Sequence, residues 1–251
     1  MVSEFLFLFF VISSSPSRAD DECFAGSITA CESSAALYER GKNYSKAVQF
    51  YDSACLLGSW KSCMKLYAVY LKDMWGMGRN LRVSFGYAKR AIDIMGNGRA
   101  EDFYKEGCSL GVASDCFHLS GIYEERYKNS AEAKKLLEKA FQLATNGCKN
   151  NDPSDCFILG FMYRVGRGVE KNENRAKELF EKSCKLGGGG GCYEIAYEHK
   201  DKDKRKYLEY LRLACEGVRP DACYELWKEL KDKKFLIKAC EMGLDYACRE
   251  L

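Results

Sequence analysis

Hydrophobic residues recur along most of this chain with the spacing of amphipathic helices. In residues 156–184, Cys156, Leu159 and Tyr163 stand at positions 0, 3 and 7 of one stretch, which places them on one helix face. A second stretch with the sequence AKELFEKSC is also amphipathic and ends on Cys184, and a polar segment that contains glycines separates the two. The pattern predicts two helices joined by a turn, that is, a helical hairpin.

The same arrangement returns along the chain. An apolar residue stands three positions, and a tyrosine often seven positions, after the cysteine that opens each predicted first helix. Because these positions share a helix face, we expect them to pack inward. The apolar residues are Leu66, Leu119, Leu159, Ile195, Leu226 and Leu251, and the tyrosines are Tyr38, Tyr70, Tyr123 and Tyr163.

The 14 cysteines form pairs that all have the spacing C-x7-C, and none is left over. Zinc sites use shorter spacings and usually histidine, so metal binding is disfavoured. Bonding each pair forward to the next would leave Cys23 and Cys248 without partners, whereas bonding within each pair leaves none. We therefore predict the disulfides Cys23/Cys31, Cys55/Cys63, Cys108/Cys116, Cys148/Cys156, Cys184/Cys192, Cys215/Cys223 and Cys240/Cys248.

This pairing constrains the backbone between the two cysteines. Eight residues of straight helix rise about 12 Å, whereas the Cα atoms of a disulfide lie about 4.4–6.8 Å apart. The chain must therefore end one helix, turn and begin another within each pair. Residues suited to a left-handed helix end lie near the third position after the first cysteine. They are Gly26, Gly58, Gly111, Gly187 and Gly243, with Gly217 one position earlier and Asn151 in the remaining pair.

The first cysteines recur about 36 residues apart on average, which is typical of arrays of helical hairpins. We expect residues 20–251 to form a single α-solenoid of about six to seven repeats. The repeat at 63–108 is enlarged, and its inserted segment at 74–102 has no assigned role. The five glycines at 187–191 lack the lysine and Ser/Thr of a phosphate loop, so we interpret them as a flexible turn.

The N-terminus carries a signal for the compartment. Residues 5–12 are uniformly apolar, and small residues precede a cleavage point after Ala19, which predicts a signal peptide at 1–19. A buried N-terminal strand is the alternative. Disulfides persist in oxidising compartments, so we expect a secreted or periplasmic protein. No other segment approaches membrane-spanning length. The net charge of +3, without a dense basic run, disfavours a nucleic-acid partner.

The repeat at 156–184 resembles the Sel-like repeat, a relative of the tetratricopeptide repeat. The C-x7-C pairs narrow the resemblance to the Helicobacter cysteine-rich proteins. This resemblance implies an all-α fold, a right-handed solenoid of antiparallel helical hairpins stapled by disulfides. The residues that carry it are Leu159, Gly160, Tyr163, Gly166, Gly168, Val169, Asn172, Ala176, Lys182, Ser183 and Cys184.

Two functions compete. Stacked hairpins present an extended concave face that suits a protein or peptide partner, and this scaffold hypothesis predicts exposed aromatic and charged residues without a deep pocket. Trp75, in a turn flanked by glycines, is the tryptophan most suited to touch a ligand there. The alternative is implied by the family resemblance. It is an enzyme that acts on β-lactams or cell-wall peptides, and it predicts a pocket with Ser, Lys, Glu or His from several repeats.

No complete catalytic set supports the enzyme hypothesis. Ser62 and Lys65 fit S-x-x-K, but S-D-N and K-T-G, which complete a serine β-lactamase site, are absent. His118 and His199 lie in different repeats, which disfavours a zinc enzyme. We therefore assign no catalytic, metal or cofactor residues and leave enzymatic activity undecided.

Overall fold

The computed structural model describes residues 18–96 and 99–251, and all regular structure in these ranges is helical. The predicted all-α fold of helical hairpins is confirmed. Residues 1–17 of the predicted signal peptide lie outside the described residues. The helices are α1 (Arg18–Phe24), α2 (Ile28–Arg40), α3 (Tyr44–Leu56), α4 (Trp60–Lys72), α5 (Leu81–Met95), α6 (Ala100–Ser109), α7 (Ala113–Glu125), α8 (Ser130–Lys149), α9 (Pro153–Val165), α10 (Glu173–Lys185), α11 (Gly189–His199), α12 (Lys204–Glu216), α13 (Pro220–Leu230), α14 (Lys233–Glu241) and α15 (Asp245–Arg249).

Contacts divide the chain into two units, Met1–Gly58 and Ser59–Leu251. In the first unit, α2 and α3 form a hairpin, and Cys23, Ala35 and Phe50 are buried between the helices. In the second unit, α4 packs on α5, α7 on α8, α9 on α10, α11 on α12, and α13 on α14. The second unit is therefore a run of consecutive hairpins.

The second helix of each hairpin begins at a side chain that caps it. Asn129, Asn172 and Asp203 each accept a hydrogen bond from the backbone N–H three residues later. The backbone N–H of Asn172 in turn donates to the carbonyl of Tyr163 at the end of the preceding helix, at 2.9 Å. Asn and Asp favour this position because their short side chains satisfy an amide that lacks a partner within the helix.

Disulfides join the end of one hairpin to the start of the next. The bonded Cα atoms lie 4.5 Å apart in Cys23–Cys31 and 4.8 Å apart in Cys215–Cys223. Cys55 and Cys63 are also disulfide-bonded, and no described cysteine is free. The other bonds are Cys108–Cys116, Cys148–Cys156, Cys184–Cys192 and Cys240–Cys248.

The enlarged repeat contains one helix more than the others. After α4 and a short 3-10 turn at Met74–Gly76, α5 packs on α4 as a normal second helix. Gly96 then ends α5 with a φ of 73°, and the separate helix α6 leads into the next disulfide. In the following repeat the single 20-residue helix α8 extends from the hairpin turn to the cysteine.

The turn between α12 and α13 differs from the prediction. Gly217 was expected to be the left-handed residue, but its φ is −73°, and Val218 adopts a φ of 62°. The glycine is needed for another reason, since a Cβ on Gly217 would lie 2.5 Å from the backbone nitrogen of Gly189. Close approach of two backbones therefore places the strained conformation on Val218, a β-branched residue for which it is unfavourable.

The glycine run at 187–191 is not the flexible turn that we predicted. Gly188 caps α11 and the following three glycines form its first turn. The backbone N–H of Gly189 donates to the carbonyl of Gly217 at 3.2 Å, and a Cβ there would clash with that oxygen. The glycines are present because the start of α11 packs against the end of α12.

Most predicted inward positions are correct. Leu66, Leu119, Leu159, Ile195 and Leu226 are buried, and the tyrosines seven residues after the second cysteine are half-buried. The exception is Leu251, which is 54% exposed because α15 ends before it, at Arg249. None of the described helices is long and apolar enough to cross a bilayer.

Candidate functional site

A pocket of about 550 Å³ lies in the second unit and draws its walls from several hairpins. Helices α4, α5, α6, α7 and α9 contribute side chains, and the segments before α11 and α13 contribute backbone. We call it the α4–α9 pocket. The side chains that give it its character are Tyr67, Lys72, Phe85, Phe103, Tyr104, Asp115, His118 and Asp155.

One wall is an ion network between α9 and the end of α4. The ammonium of Lys72 donates to Oδ2 of Asp155 and lies 3.3 Å from Oδ2 of Asp152. Arg79, in the loop after α4, donates to Oδ1 of Asp152 at 2.9 Å and to the hydroxyl of Ser154 at 2.6 Å. Both lysine and arginine are partly buried, so these contacts are less screened than surface ion pairs.

The two aspartates of this network titrate in opposite directions. Burial alone would raise the pKa of Asp152, but the charges of Lys72 and Arg79 outweigh it, and the pKa is lowered. Burial raises the pKa of Asp155, with the negative charge of Asp152 adding to it and Lys72 opposing it. The pocket therefore contains an acid–base network that is neutralised within the protein.

Asp115 is a second buried carboxylate in the pocket, in the first turn of α7. Its residue is 3% exposed, and its Oδ2 atom has no hydrogen-bond partner. Oδ1 lies 3.4 Å from the hydroxyl of Ser114, the neighbouring residue. Burial raises the pKa of Asp115 to about 7, although Ser114 and Tyr67 oppose the shift. This carboxyl group is close to half-ionised at neutral pH.

Asp115 does not act as a helix cap. An acidic residue at this position can accept a hydrogen bond from the N–H of the capping residue, which here is Val112. That N–H is already donated to the carbonyl of Gly107, at 2.9 Å. The usual structural reason for a carboxylate in the first turn is therefore missing.

Aromatic rings surround this carboxylate. The rings of Tyr67 and Phe103 lie 5.9 Å apart, Tyr104 meets Phe103 edge-on, and His118 stacks on Tyr104 with 5.1 Å between ring centres. Burial, followed by the negative charge of Asp115, raises the pKa of Tyr67 well above its usual value. Burial and the charge of Arg167 lower the pKa of His118, so that its imidazole is neutral at pH 7.

Asp115 and Asp155 occupy equivalent positions, each directly before the second cysteine of a pair. Each faces a glycine directly before the first cysteine: a Cβ on Gly107 would lie 1.8 Å from Oδ2 of Asp115, and one on Gly147 would lie 1.6 Å from Oδ2 of Asp155. The glycines make room for the carboxylates at the contact between consecutive hairpins.

The sequence suggested other residues, and the structure places them elsewhere. Ser62 of the S-x-x-K motif is buried, its hydroxyl accepts a hydrogen bond from Ser59, and its N–H donates to the same side chain. This is the geometry of a capped helix start rather than of an accessible nucleophile. The ammonium of Lys65 lies 5.3 Å from the ring centre of Trp75.

The two histidines are in separate places. His118 lines the pocket, whereas His199 stacks on Tyr210 at 5.8 Å and does not. Trp75, considered as a ligand contact, is half-buried and is not part of the pocket wall. Residues 18–96 and 99–251 contain no group of three or more metal-ligating side chains close enough to hold an ion.

The scaffold hypothesis predicted no deep pocket, and this prediction is wrong. The pocket does collect Ser154, Lys72 and His118 from different hairpins, as the enzyme hypothesis required. However, Ser154 accepts from Arg79, and Ser183 donates to the carbonyl of Pro153. Among the described hydrogen bonds, none joins a serine to His118, so the nucleophile–base contact of covalent catalysis is not formed.

Sequence reasoning missed Asp115 and Asp155, although a signal was present. The residue before the second cysteine is Ala, Ser or Gly in every other pair, and a buried acidic side chain at this position is out of pattern. In both cases glycine replaces the residue before the first cysteine. The pair of changes points to a carboxylate that needs space.

Comparison with known proteins identifies the repeat. The Sel1 repeat family matches residues 32–59, 108–144 and 153–188, which confirms the resemblance to Sel-like repeats. The chain is similar to cytochrome c oxidase assembly factor 7 of Xenopus tropicalis, with 27% identity over 171 residues that cover 58% of this chain and 73% of that protein.

Two solved structures are also similar. A Sel1 repeat protein from Oxalobacter formigenes shares 15% identity with a TM-score of 0.41, covering 92% of this chain and 77% of that chain. Helicobacter pylori cysteine rich protein B shares 29% identity with a TM-score of 0.26, covering 59% of this chain and 91% of that chain.

Proposed function

We propose that this Sel1-repeat protein is a binding scaffold whose α4–α9 pocket holds a segment of a protein partner. The observation that carries the proposal is the pocket itself, which combines exposed apolar side chains with buried charged groups from several hairpins. Such a mixture suits a polypeptide, because apolar contacts supply binding energy and a few polar groups supply specificity. The face on which it lies corresponds to the concave face of the expected solenoid.

The apolar half of the pocket supports this proposal. Phe85 and Ile92 of α5 are 46% and 49% exposed, although both belong to a folded hairpin. Large apolar side chains that remain open beside aromatic rings are typical of interaction surfaces. The relative from Xenopus tropicalis is named as an assembly factor, a role that involves contact with other proteins, and this agrees with a partner-binding function here.

The location is part of the same proposal. The described cysteines are all disulfide-bonded, which fits a compartment outside the reducing cytosol. We infer that the protein is secreted or periplasmic, as the apolar run at residues 5–12 suggests. Fractionation of producing cells with thiol labelling tests this location, and recovery of the protein in reduced form from the cytosol would contradict it.

A site-specific photo-crosslink tests partner binding. A benzophenone side chain at Phe85, inside the pocket, is expected to form a discrete and saturable protein adduct in the cells that produce the chain. The matched control is Leu213, which is 42% exposed on α12 and does not line the pocket. The proposal fails if the two positions give the same adducts, or if neither gives one.

No observation in the pocket favours β-lactam hydrolysis as a second function. The only serine singled out for it, Ser62, is buried and engaged with Ser59. The enzyme hypothesis therefore remains what the family resemblance implied and gains no support from the pocket chemistry.

A further inference from the structure

The α4–α9 pocket contains one buried carboxylate that is paired and one that is not. Asp155 receives the ammonium of Lys72 on its Oδ2 atom, whereas Oδ2 of Asp115 has no partner. Both residues lie in the first turn of a helix, directly before a disulfide-bonded cysteine, and both pack over a glycine. The two sites are thus copies of one arrangement in consecutive hairpins.

The comparison extends to the atom that binds. In Asp155, the oxygen that lies over Gly147 is the oxygen that accepts the lysine ammonium. In Asp115, the oxygen that lies over Gly107 is the one left without a hydrogen bond. Lys72 therefore shows, within this chain, what the geometry of such a carboxylate accepts.

The protein supplies no cation of its own to Asp115. Lys72 is held by Asp155 and Asp152, and Arg79 by Asp152 and Ser154. Arg167 pairs with Glu124 at 2.6 Å, with its guanidinium over the ring of Phe117. A buried carboxylate without a counter-ion is unfavourable for the folded protein, and a cation from outside would relieve that cost.

The surroundings of Asp115 favour a positive charge on the ligand. Tyr67, Phe103 and Tyr104 present aromatic rings on the pocket wall, and rings attract ammonium groups through their electron-rich faces. His118, which also faces the pocket, is uncharged at neutral pH and does not repel a cation. Charge and shape thus favour the same class of ligand.

We propose that Asp115 is the specificity residue of the pocket and binds the side-chain ammonium of a lysine in the partner segment. The proposal rests on the function proposed above, since it names the chemistry of the segment that the scaffold holds. The lysine stem would lie along the aromatic wall while its ammonium reaches Oδ2, as Lys72 reaches Oδ2 of Asp155.

The test uses the fully oxidised protein and two small probes that differ only in charge. Nα-acetyl-lysine amide and its neutral counterpart Nα-acetyl-norleucine amide are titrated while the carboxyl carbon of Asp115 is followed by NMR. We expect the lysine probe to shift this resonance and to bind at least about tenfold more tightly than the norleucine probe. Equal binding of the two probes would overturn the proposal without any variant being needed.

Variants then assign the effect to one residue. Asp115→Asn keeps the shape of the side chain, and Asp115→Ala restores the residue found at the equivalent positions Ala222 and Ala247. Either folded variant is expected to lose the preference for lysine. The matched control is Asp93→Asn, which removes an exposed carboxylate from the same pocket and should leave the preference intact. Loss of preference in the control, or its retention in both Asp115 variants, contradicts the assignment.

The two proposals fail in different ways. A protein adduct at Phe85 that persists in Asp115→Asn supports the scaffold and overturns the lysine site. Binding of the lysine probe at Asp115 without a protein adduct at Phe85 supports the site and contradicts the scaffold.

Discussion

The position before the second cysteine carries much of this protein's chemistry at the scale of single residues. It is buried in every pair, and small residues occupy it where consecutive helices simply pack. Aspartate in two consecutive hairpins introduces charge at a place where the backbone leaves little room. The occupants along the chain are Ala30, Ser62, Asp115, Asp155, Gly191, Ala222 and Ala247.

Burial of Asp115 predicts a specific dependence of stability on pH. Its pKa rises from 3.8 in its ordinary state to about 7 in the folded protein, so the folded state binds the proton more tightly than the unfolded state. The contribution of Asp115 to stability is therefore most favourable below pH 4, declines as the pH rises and reaches its minimum above pH 7. Asp115→Asn removes this decline, since an amide does not ionise.

Urea unfolding of the two proteins between pH 4 and 8 measures this effect. We expect Asp115→Asn to gain stability relative to the wild type as the pH rises, by at most about 4 kcal/mol, because each tenfold change in proton affinity corresponds to about 1.4 kcal/mol. Titration of Asp155 is common to both proteins and cancels in the difference. A difference that stays constant, or that shrinks with rising pH, would show that Asp115 is not buried as described.

At the scale of helices, glycines decide how closely α6 can approach α7. Gly107 faces the carboxylate of Asp115, and its missing side chain is what allows the two helices to meet around that group. Gly86 of α5 is a useful contrast, because a Cβ there would meet nothing within 4 Å. The same residue type therefore has a packing role in one helix and none in the other.

These glycines predict opposite effects of one substitution. Gly107→Ala should lower the free energy of unfolding by about 2–3 kcal/mol, because the new methyl group overlaps Asp115 and the helices must move apart. Gly86→Ala should raise it by about 0.5–1 kcal/mol, since alanine loses less backbone entropy in a helix. Chemical denaturation of the two single variants measures both changes.

A double variant tests the stated reason. Gly107→Ala combined with Asp115→Ala recreates the pair of alanines found at Ala214 and Ala222, so most of the lost stability should return. If the double variant is as unstable as Gly107→Ala alone, the overlap with Asp115 is not the cause.

For the whole molecule, the disulfides hold consecutive hairpins together at short loops. Replacing Cys184 and Cys192 by alanine should lower the free energy of unfolding by about 2.5 kcal/mol, because the unfolded chain regains the freedom of an eight-residue loop. The pair Cys215 and Cys223 closes a loop of equal length and should give a similar loss. Urea unfolding without reductant measures both, and a loss confined to one pair would contradict the loop-entropy argument.

Some predictions failed where two parts of the chain approach each other. Gly217 was expected to be the left-handed residue of its turn, and the conformation is found on Val218 instead. The local pattern could not show this, because the demand on Gly217 comes from the backbone of Gly189 in the preceding hairpin. The helical role of the glycines at 189–191 escaped prediction for the same reason.

The sequence by itself determined the helical hairpins, their repeat and the positions of the cysteines, because each of these follows from spacing along a single helix or turn. The tertiary structure alone decided which polar groups meet. Lys72 and Asp155 are joined across 83 positions of the chain, and no periodic pattern connects them. Asp115 gained its meaning only when packing buried it without a counter-ion, since burial depends on neighbours that the linear order does not identify.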